Sequence, residues 1–108
     1  MSLIKLVQGD NLPEITLTLT DAQTTNPIDL SDPLTTVVVK LRAQSGTSVL
    51  SVLPCSKVDA LNGIVKFYFP ATTLDIPAGQ YQGEIEISFN GLILTVYDLL
   101  QFTLRAEF

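Results

Sequence analysis

Carboxylates are the main side chains in this 108-residue sequence that could do chemistry. The chain has no His and no Trp, and Cys55 is its single cysteine. Without His there is no Ser-His-Asp arrangement, no Cys-His pair and no ordinary zinc site. The glycine-rich patterns that cradle phosphates, GxGxxG and GxxxxGKS/T, do not occur either. We therefore expect a protein that is not an enzyme, with no catalytic, cofactor-binding or metal-binding residues.

Two groups of carboxylates lie close enough in sequence to suggest a site. Asp21, Asp29 and Asp32 share a loop, and carboxylate oxygens are the ligands that calcium prefers. Their spacing matches no EF-hand, and loops rich in Asp, Asn and Pro are ordinary turn material. Glu84 and Glu86 lie two apart on one strand face, where neither acid gains the apolar pocket that a glycosidase needs. We interpret the first group as turn carboxylates and the second as a solvated acidic face.

The lone cysteine predicts a structural role rather than a reactive one. Cys55 lies between Pro54 and Ser56 and follows an apolar stretch, so we expect a small buried hydrophobe. No histidine is available to act as its base, and a single cysteine cannot form an internal disulfide.

Charge and hydropathy exclude further classes of partner. The net charge is −5, the pI is about 4.3, and the six basic residues are scattered, whereas phosphate binding needs clustered Lys and Arg. No apolar run approaches the ~18 residues of a membrane helix. We expect no signal peptide, because the apolar start Met1 to Val7 is too short for one. We expect no nucleic-acid or membrane partner and synthesis in the cytoplasm. Charged residues make up 16%, as expected if part of the surface is buried against partners.

The residues discussed above lie on, or between, short predicted strands in which apolar and polar residues alternate. The alternation is cleanest in 14–20, where Ile15, Leu17 and Leu19 should face inward between outward threonines. The same pattern in 81–89 alternates an inward set, Tyr81, Gly83, Ile85, Ile87 and Phe89, with Gln82, Glu84, Glu86 and Ser88. The other inward residues that we expect are Val37, Val39 and Leu41 in 34–42, and Val65, Phe67 and Phe69 in 64–69. Six or seven strands are predicted, with approximate ranges 3–8, 14–20, 34–42, 49–55, 64–69, 81–89 and 92–108.

Turn-forming residues separate the strands. The Asp21–Pro33 loop should cap one end of the core with Ile28 and Leu30, and Asn62-Gly63 and Asn90-Gly91 suit tight turns. Pro54 marks its strand as an edge or a strand end, and the opening strand is a second candidate edge. The last segment is too long for one straight strand. Its even positions would share one buried face with Asp98, namely Leu94, Val96, Leu100, Phe102 and Leu104. We therefore expect a bulge or a sheet crossing near 97–99 that turns Asp98 out of the core.

These elements predict one all-β domain over 1–108, an immunoglobulin-like antiparallel β-sandwich of about seven strands. A chain of this length can build one continuous core. The spacing of Leu74, Asp75, Gly79 and Tyr81 resembles the corner of immunoglobulin-like sandwiches, where a tyrosine hydroxyl bonds to upstream backbone.

Several segments together are similar to a bacteriophage family, the N-terminal immunoglobulin-like domain of baseplate upper proteins. Members show a Gly-Asp before an alternating strand, a Pro-x-Asp-Leu loop, a Lys-x-Arg strand, and a Gly-x-Tyr before a Glu-containing strand. The matching residues here are Gly9 and Asp10, Pro27 to Leu30, Lys40 to Arg42, and Gly79 to Tyr81 with Glu84. The likeness covers nearly the whole chain, and members usually continue into a stalk or receptor-binding region, whereas this sequence stops at Phe108.

The resemblance implies a virion structural protein of the tail, baseplate or fibre attachment, assembled in the host cytoplasm. It implies that other virion proteins are the partners. It also implies a homo-oligomer, for which a trimer is the first expectation. It brings no catalytic residues and no cofactor. A capsid decoration or neck protein, or a host-carbohydrate-binding module using Tyr68 and Tyr97, remains an alternative. The interface residues stay unknown from sequence; the Asp21–Pro33 loop, the terminal segments and the strand edges are the candidates.

Overall fold

A computed structural model describes residues 3–108 of the chain. These residues form nine strands and a single 3₁₀ turn, Ala60–Asn62. The strands are β1 (Leu3–Val7), β2 (Ile15–Thr18), β3 (Thr35–Ala43), β4 (Ser51–Pro54), β5 (Ser56–Asp59), β6 (Ile64–Phe67), β7 (Gly79–Phe89), β8 (Leu92–Thr95) and β9 (Leu100–Arg105). In this part of the chain, no helix has the length and apolar character needed to cross a membrane.

The larger sheet is built around β7. One side of β7 pairs with β3 along nearly its whole length. Its other side pairs with β9 near its start and with β8 near its end. The strand order is β1-β9-β7-β3-β4, so β1 and β4 lie at the edges. Pairing is antiparallel except between β1 and β9, which run parallel, unlike the wholly antiparallel sandwich predicted from the sequence.

The smaller sheet has three strands in the order β2-β6-β5. The chain enters it at Cys55, whose amide still donates to the Val37 carbonyl oxygen of the larger sheet at 2.9 Å. The next residue, Ser56, already pairs with Lys66 of β6. A second strand directly after Pro54 was not predicted, because apolar and polar residues do not alternate in 56–59. All four of these residues are exposed in the structure.

The two sheets pack as a sandwich around one core. The predicted inward residues of β3 and β7 are buried, except Phe89, which is half-buried at the end of β7. They alternate with outward residues because one face of each strand meets the opposite sheet. Phe67, Phe69 and Phe102 form two edge-to-face contacts, with ring centroids 5.6 and 6.1 Å apart. The predicted capping residue Leu30 is fully buried, and Ile28 packs against the core from the rim.

The predicted turns form where the sequence places them. Asn90 and Gly91 have φ of 51° and 96°, as a two-residue hairpin between β7 and β8 requires. Gly63 has φ of 68°, and a Cβ there would lie 2.5 Å from the Leu19 carbonyl oxygen. The Tyr81 hydroxyl donates to the Pro77 carbonyl oxygen, which confirms the tyrosine corner.

The long final segment divides as expected. Residues 96–99 lie outside any strand and separate β8 from β9, which turns Asp98 into solvent. Leu100, Phe102 and Leu104 are buried, as predicted for this face. Leu94 was expected on the same buried face, yet 43% of it is exposed because the smaller sheet does not extend over β8.

Candidate functional site

The loop carboxylates act within their own turns. Asp21 Oδ1 accepts the amides of Gln23 and Thr24, Asp29 Oδ1 accepts that of Ser31, and Asp32 Oδ1 accepts that of Leu34. Hydrogen bonds from the hydroxyl and the amide of Ser31 hold the pKa of the Asp29 carboxyl below its usual range. Within residues 3–108 no three Asp, Glu or Cys side chains converge as a metal site would require. The loop is therefore arranged as turn structure.

Glu84 and Glu86 lie on the outer face of β7, as predicted. Glu86 Oε2 accepts a hydrogen bond from Lys40 Nζ of β3 at 2.7 Å, and the two side chains form an ion pair. That hydrogen bond, followed by the charge of Glu86, raises the pKa of Lys40. Glu84 lies directly opposite Lys40 in the register and is exposed. The arrangement is a cross-strand charge pair on an open face.

Cys55 lies where the chain passes between the two sheets. It is half-buried and packs against the core, and burial raises the pKa of its thiol to about 11. At neutral pH the sulfur is protonated and therefore a poor nucleophile. The small buried hydrophobe predicted at Cys55 is therefore confirmed in part, because the residue packs against the core but is only half-buried.

The two tyrosines proposed as sugar platforms are exposed. Tyr97 is 93% exposed and Tyr68 is 50% exposed. They lie on different parts of the fold, Tyr97 after β8 and Tyr68 after β6. They do not line a common groove.

An open groove runs along one flank of the sandwich. Its wall on the smaller sheet is β2 and the turn after it, and its wall on the larger sheet is the β8–β9 junction. Two adjoining cavities of about 410 and 320 Å³ make up this groove. Both are bordered by Thr20, Ala22, Val96 and Tyr97. The floor is apolar, with Leu17, Ile85 and Leu100 in the larger cavity.

This groove exists because the sheets differ in width. A sheet gains about 4.8 Å for each strand added across it, so three strands cannot cover a layer that is five strands wide. Leu92 and Leu94 lie on the inner face of β8, opposite Phe89 and Ile87. Even so, Leu92 is 75% exposed and Leu94 is 43% exposed. Sequence reasoning missed this surface. The signal was the uninterrupted apolar run Leu92 to Leu94, which is typical of a strand buried on both faces.

The predicted edges are edges in the structure. The opening strand β1 and the Pro54 strand β4 end the larger sheet, while β2 and β5 end the smaller one. The Asp21–Pro33 loop, another interface candidate, is exposed along most of its length. Of the terminal segments, the C-terminal residues beyond β9 are exposed, and Met1 and Ser2 lie outside the described residues.

Comparisons with known proteins identify the fold. No family model and no curated protein matches this sequence. Among solved structures, the N-terminal domain of phage TP901-1 ORF48 is similar with a TM-score of 0.58 and 18% sequence identity. The match covers 98% of this chain and 85% of that one. At this identity the similarity shows a shared β-sandwich fold over the whole length.

Proposed function

We propose that this chain is a non-enzymatic structural protein of a bacteriophage virion, most specifically of the tail or baseplate. One observation carries the proposal: the fold matches a domain of a phage protein over 98% of this chain. The sequence segments that resemble baseplate upper proteins extend over the same length and support it independently.

The surface supports assembly rather than catalysis. The carboxylates of residues 3–108 cap turns, pair across strands or lie in solvent, and none is held in an apolar pocket as a general acid would be. Strand edges and an open apolar groove, in contrast, are surfaces on which further protein can dock. The partners we propose are other virion proteins and further copies of the chain.

The test is to follow the protein into particles. A tagged version of the protein would be expressed from its own genome. The released particles would be purified by density and examined by mass spectrometry and gold labelling. We expect tagged protein at a fixed copy number, with gold at the tail. A label on the head would favour the decoration or neck alternative. Particles that are free of the protein would contradict a virion role.

Host-carbohydrate binding is the second candidate, and the exposure of Tyr97 beside the flank groove favours it. An aromatic ring beside a groove is the platform on which a sugar ring stacks. A glycan array of host polysaccharides would detect saturable binding that Tyr97→Ala abolishes and Tyr68→Ala preserves. An array without binding would remove this candidate.

A further inference from the structure

Sheet edges are the surfaces that could join this domain to another chain, and most of its edges are protected. β1 carries Lys5, and β5 carries Lys57 and Asp59 together with a register shift. The Cys55 amide bonds to β3, so the backbone of the preceding residue, Pro54, points to the open side of β4. Proline has no N–H to offer a new strand there. Charge, bulges and proline are the devices that prevent edge pairing.

β8 has none of these devices. The segment 90–97, which contains β8, has no charged residue and no proline. β2 is also uncharged, but its exposed side chains are threonines, so pairing there would bury little apolar surface. Within residues 3–108, β8 therefore combines an unprotected edge with apolar side chains.

The hydrogen-bond pattern shows which groups of β8 are free. Val96 N donates to the Ile85 carbonyl oxygen at 2.9 Å, and Leu94 and Leu92 lie opposite Ile87 and Phe89. In an antiparallel ladder only alternate residues bond to a given neighbour. The even-numbered residues of β8 therefore bond to β7, and the amides and carbonyls of Ile93 and Thr95 point to the open side.

Both faces of this edge expose apolar side chains. Leu92 and Leu94 on the inner face are 75% and 43% exposed, Ile93 on the outer face is 57% exposed, and Tyr97 just beyond is 93% exposed. Contiguous apolar surface of this kind marks an interaction site.

The charge distribution indicates a second copy as the partner. The chain carries a net charge of −5, so two copies repel over most of their surfaces. At β8 the segment is neutral, and the carboxylate nearest along β7, Glu86, is held by Lys40 Nζ at 2.7 Å. A neutral apolar strand is complementary to itself, which is what a two-fold contact between identical surfaces requires.

We propose that two copies of this chain pair through β8, antiparallel about a two-fold axis at Leu94, into one continuous sheet. In this register Ile93 of each copy lies opposite Thr95 of the other, and the two residues exchange backbone hydrogen bonds. Leu92 and Leu94 of both copies then form one apolar layer. The pairing deepens the proposed assembly function by naming its surface and its stoichiometry, a dimer rather than the expected trimer.

Sedimentation velocity of the purified chain from micromolar to millimolar concentration tests the pairing. We expect a monomer that converts to a dimer as concentration rises. Ile93→Pro removes one outward amide from each copy without touching the ladder to β7, so it should raise the dissociation constant at least about tenfold. Val52→Pro is the matched control, because the Val52 amide also points outward, on β4. It should leave dimerisation unchanged.

A second variant separates pairing from folding. Leu94→Glu keeps every backbone amide but places two carboxylates at the two-fold axis, so the dimer should be lost at low salt and partly recovered at high salt. Circular dichroism melts identify variants that fold. A wild-type chain that stays monomeric, a trimer, or a dimer that survives both variants would overturn the β8 pairing. The particle experiment is independent of this outcome, so either proposal can fail alone.

Discussion

Tyr81 is the side chain that ties the start of β7 to the turn before it. Tyr81 is buried, with 7% of the residue exposed, and its hydroxyl donates to the Pro77 carbonyl oxygen. Burial raises the pKa of this phenol, so the hydroxyl keeps its proton and remains a donor well above neutral pH. The bond fixes the direction in which the longest strand leaves the corner.

Removing this hydroxyl should weaken the fold. Tyr81→Phe leaves the Pro77 carbonyl without its partner and should lower the free energy of unfolding by about 1–2 kcal/mol. Urea melts measure the change. Tyr68→Phe is the control, because Tyr68 is half exposed, and it should change stability by less than about 0.5 kcal/mol. Equal melts for the wild type and Tyr81→Phe would contradict a stabilising corner.

Cys55 gives the fold a defined response to alkaline pH. Its thiol pKa is raised from 9.0 to about 11 because burial disfavours the thiolate. Between these two values the unfolded chain has released the proton and the folded chain still holds it, so stability falls as pH rises through the interval.

Comparison with Cys55→Ala isolates this effect from other groups that titrate at high pH. The difference in unfolding free energy between the wild type and the variant should be constant below pH 8 and should shift against the wild type above pH 9. Urea melts at a series of pH values give the difference. A difference that does not change with pH would show that the folded thiol has an ordinary pKa.

At the scale of elements, β7 depends on a glycine in its buried face. Gly83 faces inward, and a Cβ there would lie 2.9 Å from Phe102 Cε2 and 3.0 Å from Val39 Cγ1. The side chains of β3 and β9 thus close over a position that has no room for a methyl group. Its place in the alternating pattern was evident from the sequence, but the close approach of its neighbours was not.

Gly83→Ala should therefore destabilise the sandwich. Overpacking costs about 1–3 kcal/mol, which outweighs a gain of less than about 1 kcal/mol from a stiffer unfolded chain. Ser88→Ala, on the outer face of the same strand, should be nearly neutral. Thermal melts of the two variants measure the contrast, and an unchanged melt for Gly83→Ala would contradict the close packing of β7 against β9.

Which elements the sequence could predict depended on how strictly they alternate. β3, β6 and β7 have one buried and one solvated face, and their inward residues were predicted correctly except Phe89, which is half-buried. β5 is exposed along its whole length and carries no such pattern. The passage of the chain between sheets at Cys55 was also hidden, because it depends on hydrogen bonds to Val37, which is distant in sequence.

At the scale of the molecule, the sandwich followed from the regular spacing of strands and turns. The unequal widths of the sheets did not, because strand order is set by pairings between distant segments. The flank groove and the uncovered β8 are products of that inequality. The same limit explains why Leu94 was assigned to the core: its face was predicted correctly, but the extent of the opposite sheet was not.

The parallel pairing of β1 with β9 has a mechanical consequence. Leu3 lies opposite Gln101 and Val7 opposite Arg105, so the chain enters this pair at one end and leaves it at the other. A force that pulls the entering and leaving segments apart acts along the two strands in opposite directions. It shears their hydrogen bonds all at once instead of opening them one after another. Tension applied between Leu3 and Arg105 therefore meets the combined resistance of all these bonds.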